Sequence, residues 1–249
     1  MRPAPAASPV ASPRPHAWPR RAARGLALIG AGAFLYVQLG PRPAFLPLAC
    51  RIDGPALADA TGVVVFLHGR GRNLAYALGT AAQMRAAGLP SSFAIVLVEA
   101  PYSTGFGHQW GDSAERQATA RARLRALLRD LAAAGGPPRE RWIIAGFSQG
   151  AGVAIDTAVE EPRFGALASF SPCLSVLRGE LPKREGLRVL LAHGRSDDVC
   201  PLEESRSLAH VLAAAGKPAQ YVEFDGGHAM PPEVLRAFVG FATKATAAR

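Results

Sequence analysis

From residue 62 to the C-terminus, short apolar runs rich in β-branched residues alternate with stretches of helical period, and each run ends in glycine or a polar turn. The runs VVVFLHG (63–69), FAIVLVEAP (93–101), RWIIAGFS (141–148), ALASFSP (166–172), LRVLLAHG (187–194) and QYVEFDGG (220–227) predict strands, most of them buried on both faces. Helices are expected over about Leu74 to Ala87, from Ser113 to the stop Gly135-Gly136-Pro137-Pro138, over QGAGVAIDTAVEE (149–161), over about Leu202 to Ala215 and over Pro232 to Thr246. This alternation specifies an α/β architecture, a mostly parallel central sheet with helices on both faces. Ligands bind such sheets beyond the carboxyl ends of the strands, which gathers His68, Ser148, Ser171, His193, Asp197 and His228 on one edge. The insertion Cys173 to Gly186 is the one segment long enough for a lid, and it is short. A minimal lid and an open site follow.

The 249 residues, 49% of them hydrophobic, suffice for one large core, and residues 50–249 are expected to form a single catalytic-size domain. A formal charge of +9 suggests a nucleic-acid partner until it is located. Residues 1–52 hold seven arginines and no acid, leaving 21 basic against 19 acidic residues for the rest. The body is nearly neutral, and no cluster of bases interleaved with aromatics occurs, so nucleic-acid binding is not expected. Cys50, Cys173 and Cys200 lack C-x-x-C or His-linked spacing, which argues against a metal site. Each reads as a small buried residue; a Cys173–Cys200 disulfide requires adjacent loops and an oxidising compartment.

Residues 1–40 differ in kind. A Pro/Ala-rich leader without apolar period precedes PRRAARG and then the uncharged run Gly25 to Leu39. Basic residues before an apolar run are the pattern of a signal or anchor segment, although this run falls short of the ~18–20 residues that cross a bilayer. Export or membrane association through residues 25–39 is the expectation, and a cytoplasmic location with a dispensable extension is the alternative.

The segment AGFSQGAG places Ser148 in the spacing G-x-S-x-G, after a strand and before a helix. There the hydroxyl projects from a sharp turn at the sheet edge, and glycines are needed where strand and helix pack closely. The same placement aims the Gln149 backbone amide at a developing oxyanion. The simpler alternative is a serine that caps an ordinary helix. A serine hydroxyl needs a base, for which an imidazole has a suitable pKa. His210 falls within a helix, and His68 and His193 end strands in HG, where an imidazole commonly bonds backbone groups. His108, in YSTGFGHQWGD, is placed to line the site. His228, in the loop DGGHAMPPE after the last strand, is assigned as the base. For the carboxylate that holds its tautomer, HGRSDDVCP offers Asp197 and Asp198, with Asp225 a weaker choice. The order Ser, Asp, His is that of the α/β-hydrolase fold.

FLHGRGRN, GFSQGAG, HGRSDDVCP and GGHAM, in that order over roughly residues 60–245, resemble the phospholipase/carboxylesterase family of α/β-hydrolases, relatives of the acyl-protein thioesterases. The resemblance implies a Ser148, Asp197, His228 triad, Asp197 being four residues after the His of HG. It implies an oxyanion hole from the amides of Gln149 and Arg70, and GHQW matches a family tryptophan at Trp110, a wall of the acyl pocket. Arg70 departs from the apolar residue common at its position. The implied activity is hydrolysis of small-molecule carboxylic esters, with thioesters and lysophospholipids as further acyl substrates and no cofactor. The alternatives are a catalytically silent fold used for binding, and a peptidase or dienelactone-hydrolase-like enzyme on the same scaffold.

Overall fold

The apolar runs pair edge to edge in one sheet of seven strands. The computed structural model describes residues 48–247 apart from 163 and 174, so the expected leader and the Gly25 to Leu39 segment lie outside the described residues. In chain order the elements are β1 (Cys50–Asp53), β2 (Gly62–Leu67), α1 (Leu74–Ala86), β3 (Phe93–Val98), the two-residue strands β4 (Tyr102–Ser103) and β5 (His108–Gln109), and α2 (Ala114–Ala133). There follow β6 (Trp142–Phe147), α3 (Gln149–Glu160), β7 (Ala166–Phe170), β8 (Arg188–Gly194), α4 (Leu202–Ala214), β9 (Gln220–Phe224) and α5 (Pro232–Thr246). The sheet order is β1-β3-β2-β6-β7-β8-β9, parallel throughout except for β1, which pairs antiparallel with β3. β4 and β5 form a separate hairpin.

Side chains alternate across the sheet, so each apolar run feeds two cores. Val63, Val65 and Leu67 of β2 pack on one face with Leu124, Leu128 and Leu131 of α2, Val153 and Ile155 of α3, and Leu208 and Leu212 of α4. Val64 and Phe66 face the other way, toward Ala77, Ala81 and Met84 of α1 and Val234, Leu235 and Phe238 of α5. Burying each Val, Leu or Phe contributes about 1.5–3 kcal/mol, which is why the strand registers are fixed by the apolar pattern. Asn73 and Ser113 cap α1 and α2 by accepting from the amides of Tyr76 (3.1 Å) and Arg116 (3.2 Å). Among the described residues no helix is long and apolar enough to cross a membrane.

The insertion expected as a short lid is fastened to the body. Buried Asp156 of α3 accepts from the Ser175 hydroxyl (2.7 Å) and from the amides of Leu177 (2.8 Å) and Val176 (3.1 Å). Its other oxygen meets buried Arg121 of α2 at 3.3 Å. Burial pushes the Asp156 carboxyl above its ordinary value, opposed by these hydrogen bonds and by the Arg121 charge. Further along, Leu181 is buried and the Arg184 guanidinium donates to the Ala158 and Pro162 carbonyls.

Candidate active site

Ser148 lies between β6 and α3 with φ 58° and ψ −124°, a left-handed backbone that a residue with a Cβ adopts at a cost of about 1–3 kcal/mol. The cost is sustained by its surroundings: the Ser148 amide donates to the Phe170 carbonyl (2.9 Å), and its carbonyl accepts from Ala151 (2.9 Å) and Cys173 (3.3 Å). A Cβ on Gly146 would overlap the Gly150 carbonyl, and one on Gly150 would overlap the carbonyls of Leu67 and His68. Only glycine permits α3 to start this close to two strands. The Ser148 side chain makes no capping bond to α3, which removes the reading of an ordinary helix cap.

Two strands further along the edge, the fully buried Asp197 carboxylate meets His228 Nδ1 at 2.8 Å through Oδ2. Its Oδ1 accepts from the amides of Cys200 (2.9 Å) and Val199 (3.0 Å). Burial works to raise the Asp197 pKa, but the bonds from Cys200, His228 and Val199 outweigh it and hold the carboxyl below its ordinary value. The nearby Ser171 hydroxyl lowers it further, although that oxygen has no partner at hydrogen-bond geometry. Asp198 is exposed, and Asp225, with a 93% exposed side chain, pairs with Arg195. Of the three carboxylates weighed from the sequence, only Asp197 is brought to His228. The imidazole of His228 lies against the Phe147 ring, centroids 4.7 Å apart, and Phe147 is the residue before Ser148.

The strand-end histidines part ways. Both ring nitrogens of His68 meet backbone groups, Nδ1 the Gly69 carbonyl (2.8 Å) and Nε2 the Ala100 amide (3.1 Å), and burial lowers its pKa. His193, also buried, places Nε2 3.0 Å from the Cys200 carbonyl and 3.2 Å from Asp197 Oδ2, with Nδ1 at 2.7 Å from the Ser205 hydroxyl. Facing two acceptors, Nε2 carries the proton and Nδ1 accepts from Ser205. Asp197 Oδ2 thus lies between two imidazoles, a contact that sequence reasoning missed; a histidine four residues before the acid was the available signal. The Asp197, Cys200 and His228 ligand atoms lie within 4.8 Å of one another, but the Cys200 sulfur is bonded to Cys173 and the Asp197 carboxylate is taken by imidazoles. They offer no free ligand set for a metal.

The loop after β2 is held from the side. The Gly71 amide donates to the His108 carbonyl (2.8 Å), the His108 amide to the Arg72 carbonyl (2.8 Å) and the Arg72 amide to the Gly69 carbonyl (3.3 Å). The Arg70 amide is left without a backbone acceptor among the described residues, and Gln149, as the first residue of α3, has no intrahelical partner for its amide. The Gln149 side chain is buried: its carboxamide donates to the Gly111 carbonyl (2.6 Å) and accepts from the Trp110 amide (2.9 Å). Trp110, expected as a pocket wall, has no exposed surface; its indole donates to the His68 carbonyl at 2.8 Å. It supports the loop from behind. His108 keeps a third of its side chain exposed, with Nδ1 3.4 Å from Glu99.

Residues 55–246 match the family model described as phospholipase/carboxylesterase. The chain belongs to that family. Its solved relatives include esterase PE8, 27% identical over 80% of this chain and all of the other, with a TM-score of 0.69. A Bacillus cereus carboxylesterase (18% identity, 80% of this chain, 94% of the other, TM-score 0.63) and Arabidopsis thaliana SOBER1 (19%, 74%, 98%, 0.64) share the fold. No curated protein matches by sequence. The phospholipase/carboxylesterase sheet is that of the α/β-hydrolase fold, as the order of motifs implied.

Proposed function

We propose that this chain, a carboxylic ester hydrolase by family, works through an acyl-enzyme formed on Ser148, with His228 as general base and acid and Asp197 orienting it. One observation carries the reading: a buried carboxylate bonds His228 Nδ1 at 2.8 Å on the sheet edge where Ser148 is held on its strained turn. With Nδ1–H committed to Asp197, Nε2 is the nitrogen left to take a proton. Ser148 Oγ adds to the ester carbonyl carbon as its proton passes to His228 Nε2, and the carbonyl oxygen becomes an oxyanion. The amides of Arg70 and Gln149 are the donors for that oxyanion, each such donor being worth roughly 10²–10³ in rate. Collapse breaks the C–O bond, and His228 returns its proton to the departing alcohol oxygen; in a thioester the sulfur leaves by the same path. Water then gives a proton to His228 and adds to the acyl carbon, and Ser148 departs with that proton, releasing the carboxylic acid.

The test is hydrolysis of p-nitrophenyl butyrate together with labelling by a fluorophosphonate probe. Wild type is expected to turn over and to label, and Ser148→Ala to lose label and about 10⁴-fold or more of kcat. A wild type that takes up no probe and is no faster than Ser148→Ala would leave the protein a fold used for binding.

A further inference from the structure

Next to His228 opens a cavity of about 340 Å³, walled on one side by the residues that follow the histidine and on the other by α1. Tyr76, Thr80 and Gln83, spaced i, i+4, i+7, turn one face of that helix toward it, and Arg72 stands at its head. None of its lining residues carries a carboxylate. Arg72 pairs with no carboxylate among the described residues; its guanidinium carbon rests 4.7 Å over the Tyr76 ring, and its backbone is tied at both ends to Gly69 and His108. A cation with unspent N–H donors, lining a recess without a counter-charge, is a site for an anion, because a guanidinium binds a carboxylate, sulfonate or phosphate through paired hydrogen bonds. A second cavity of about 270 Å³ shares Gln83 and Met230 with the first and continues between Ala86 of α1 and Leu235 of α5. The recess therefore runs from the imidazole past Arg72 into largely apolar walls, with Arg236 of α5 lining the farther cavity.

The chemistry decides which half of an ester this recess takes. The imidazole must hand its proton to the departing oxygen, so the leaving group lies alongside His228. From this we infer that the recess is a leaving-group pocket in which Arg72 selects esters whose alcohol or phenol portion bears an anionic substituent. The inference rests on the assignment of His228 as the base. It is separate from the oxyanion donors, which are backbone amides and carry no preference for charge on the substrate.

Two pairs of substrates test it. In the first pair the anion is on the leaving group, 4-acetoxybenzoate against its methyl ester; in the second it is on the acyl group, the p-nitrophenyl monoester of succinate against p-nitrophenyl valerate. The readout is the ratio of kcat/KM for anionic over neutral ester, compared between wild type and Arg72→Gln, so that intrinsic leaving-group reactivity cancels. The first ratio is expected to fall on the order of tenfold in Arg72→Gln, to be partly regained in Arg72→Lys and to shrink in wild type as salt is raised. The second ratio is expected to change less than threefold. A first ratio unchanged within twofold, or a larger effect on the acyl-side pair, overturns the pocket assignment. Ser148→Ala separates the two levels: if it abolishes turnover of all four esters while Arg72→Gln leaves the first ratio unchanged, the triad stands and the anion pocket falls. Turnover that survives Ser148→Ala removes both.

Discussion

The Cys173–Cys200 disulfide joins the loop after β7 to the loop that carries the acid, with Cα atoms 5.4 Å apart across 27 positions of sequence. Closing a loop of that length removes about 3.5 kcal/mol of denatured-chain entropy at 25 °C. For a domain of this size each kcal/mol moves Tm by roughly 2–4 °C, so the bond is worth roughly 7–14 °C. The assay is thermal unfolding of wild type and Cys173→Ala/Cys200→Ala in oxidising and in reducing buffer. Wild type is expected to melt higher by that margin under oxidising conditions, and the two proteins to converge once reductant is present. The third cysteine does not confuse the comparison, because burial pushes the Cys50 thiol up to about 11 and leaves it little thiolate for exchange. Activity reports the same bond differently. The Cys200 amide holds Asp197 and its carbonyl holds His193, while the Cys173 amide meets the Ser148 carbonyl. Freed of the cross-link, the acid loop samples other positions and kcat falls with Tm. Melting curves that coincide within 2–3 °C in oxidising buffer would refute the cross-link as a stabiliser.

Asp156→Ala strips the Val176 and Leu177 amides and the Ser175 hydroxyl of their acceptor and leaves Arg121 with Glu160 as its acidic partner; a loss of about 3–5 kcal/mol in denaturant unfolding is expected. Gln149→Ala keeps the amide proposed for the oxyanion but orphans the Trp110 amide and leaves the Gly111 carbonyl with the Gln117 carboxamide at 3.5 Å, which should cost about 1–3 kcal/mol by the same measurement. The lowered Asp197 pKa adds stability at pH values above the unfolded carboxyl value of about 4, which is lost as pH falls through the folded value. The stability gap between wild type and Asp197→Asn is therefore expected to be widest near pH 7 and to narrow below about pH 4 in acid titrations of unfolding.

The strands were legible because five of the six apolar runs are buried nearly throughout, where β-branched residues pack and few polar groups are tolerated; Val63 to Leu67 is the plainest case. Strand β1 was not. CRID has only Cys50 and Ile52 to face the core, and it becomes a strand by pairing with the open edge of β3. The β4–β5 hairpin, two residues a side, is likewise made by its neighbours, since His108 is anchored to Arg72 and Gly71. In the site, the positions of Ser148 and His228 follow from strand ends, which a pattern reveals. The choice between adjacent Asp197 and Asp198 does not follow from strand ends and comes only from the family spacing after HG; its physical basis is which carboxylate the chain buries beside two imidazoles. The burial of Trp110 and the clamp made by the Gln149 carboxamide depend on a loop 38 residues away in sequence and leave no local trace.

These contacts bear on how the proposed site is held in register. A lid that closes over substrate positions a catalytic group from above, and here the segment expected to do so is fastened to α3 through Asp156. Positioning comes from below. Each proposed participant is held by groups of neighbouring strand ends and loops: Ser148 by the Phe170 carbonyl, Asp197 by the Cys200 amide and His193, the Arg70 loop by His108, Trp110 and, through it, Gln149. Donors fixed by such bonds do not have to reorganise as charge develops, which is what the proposed acyl transfer asks of them. On the proposed mechanism the face above these groups can vary with substrate at little cost to the chemistry beneath it, and Arg72, exposed and unpaired with any carboxylate among the described residues, is where this chain has room to express a preference.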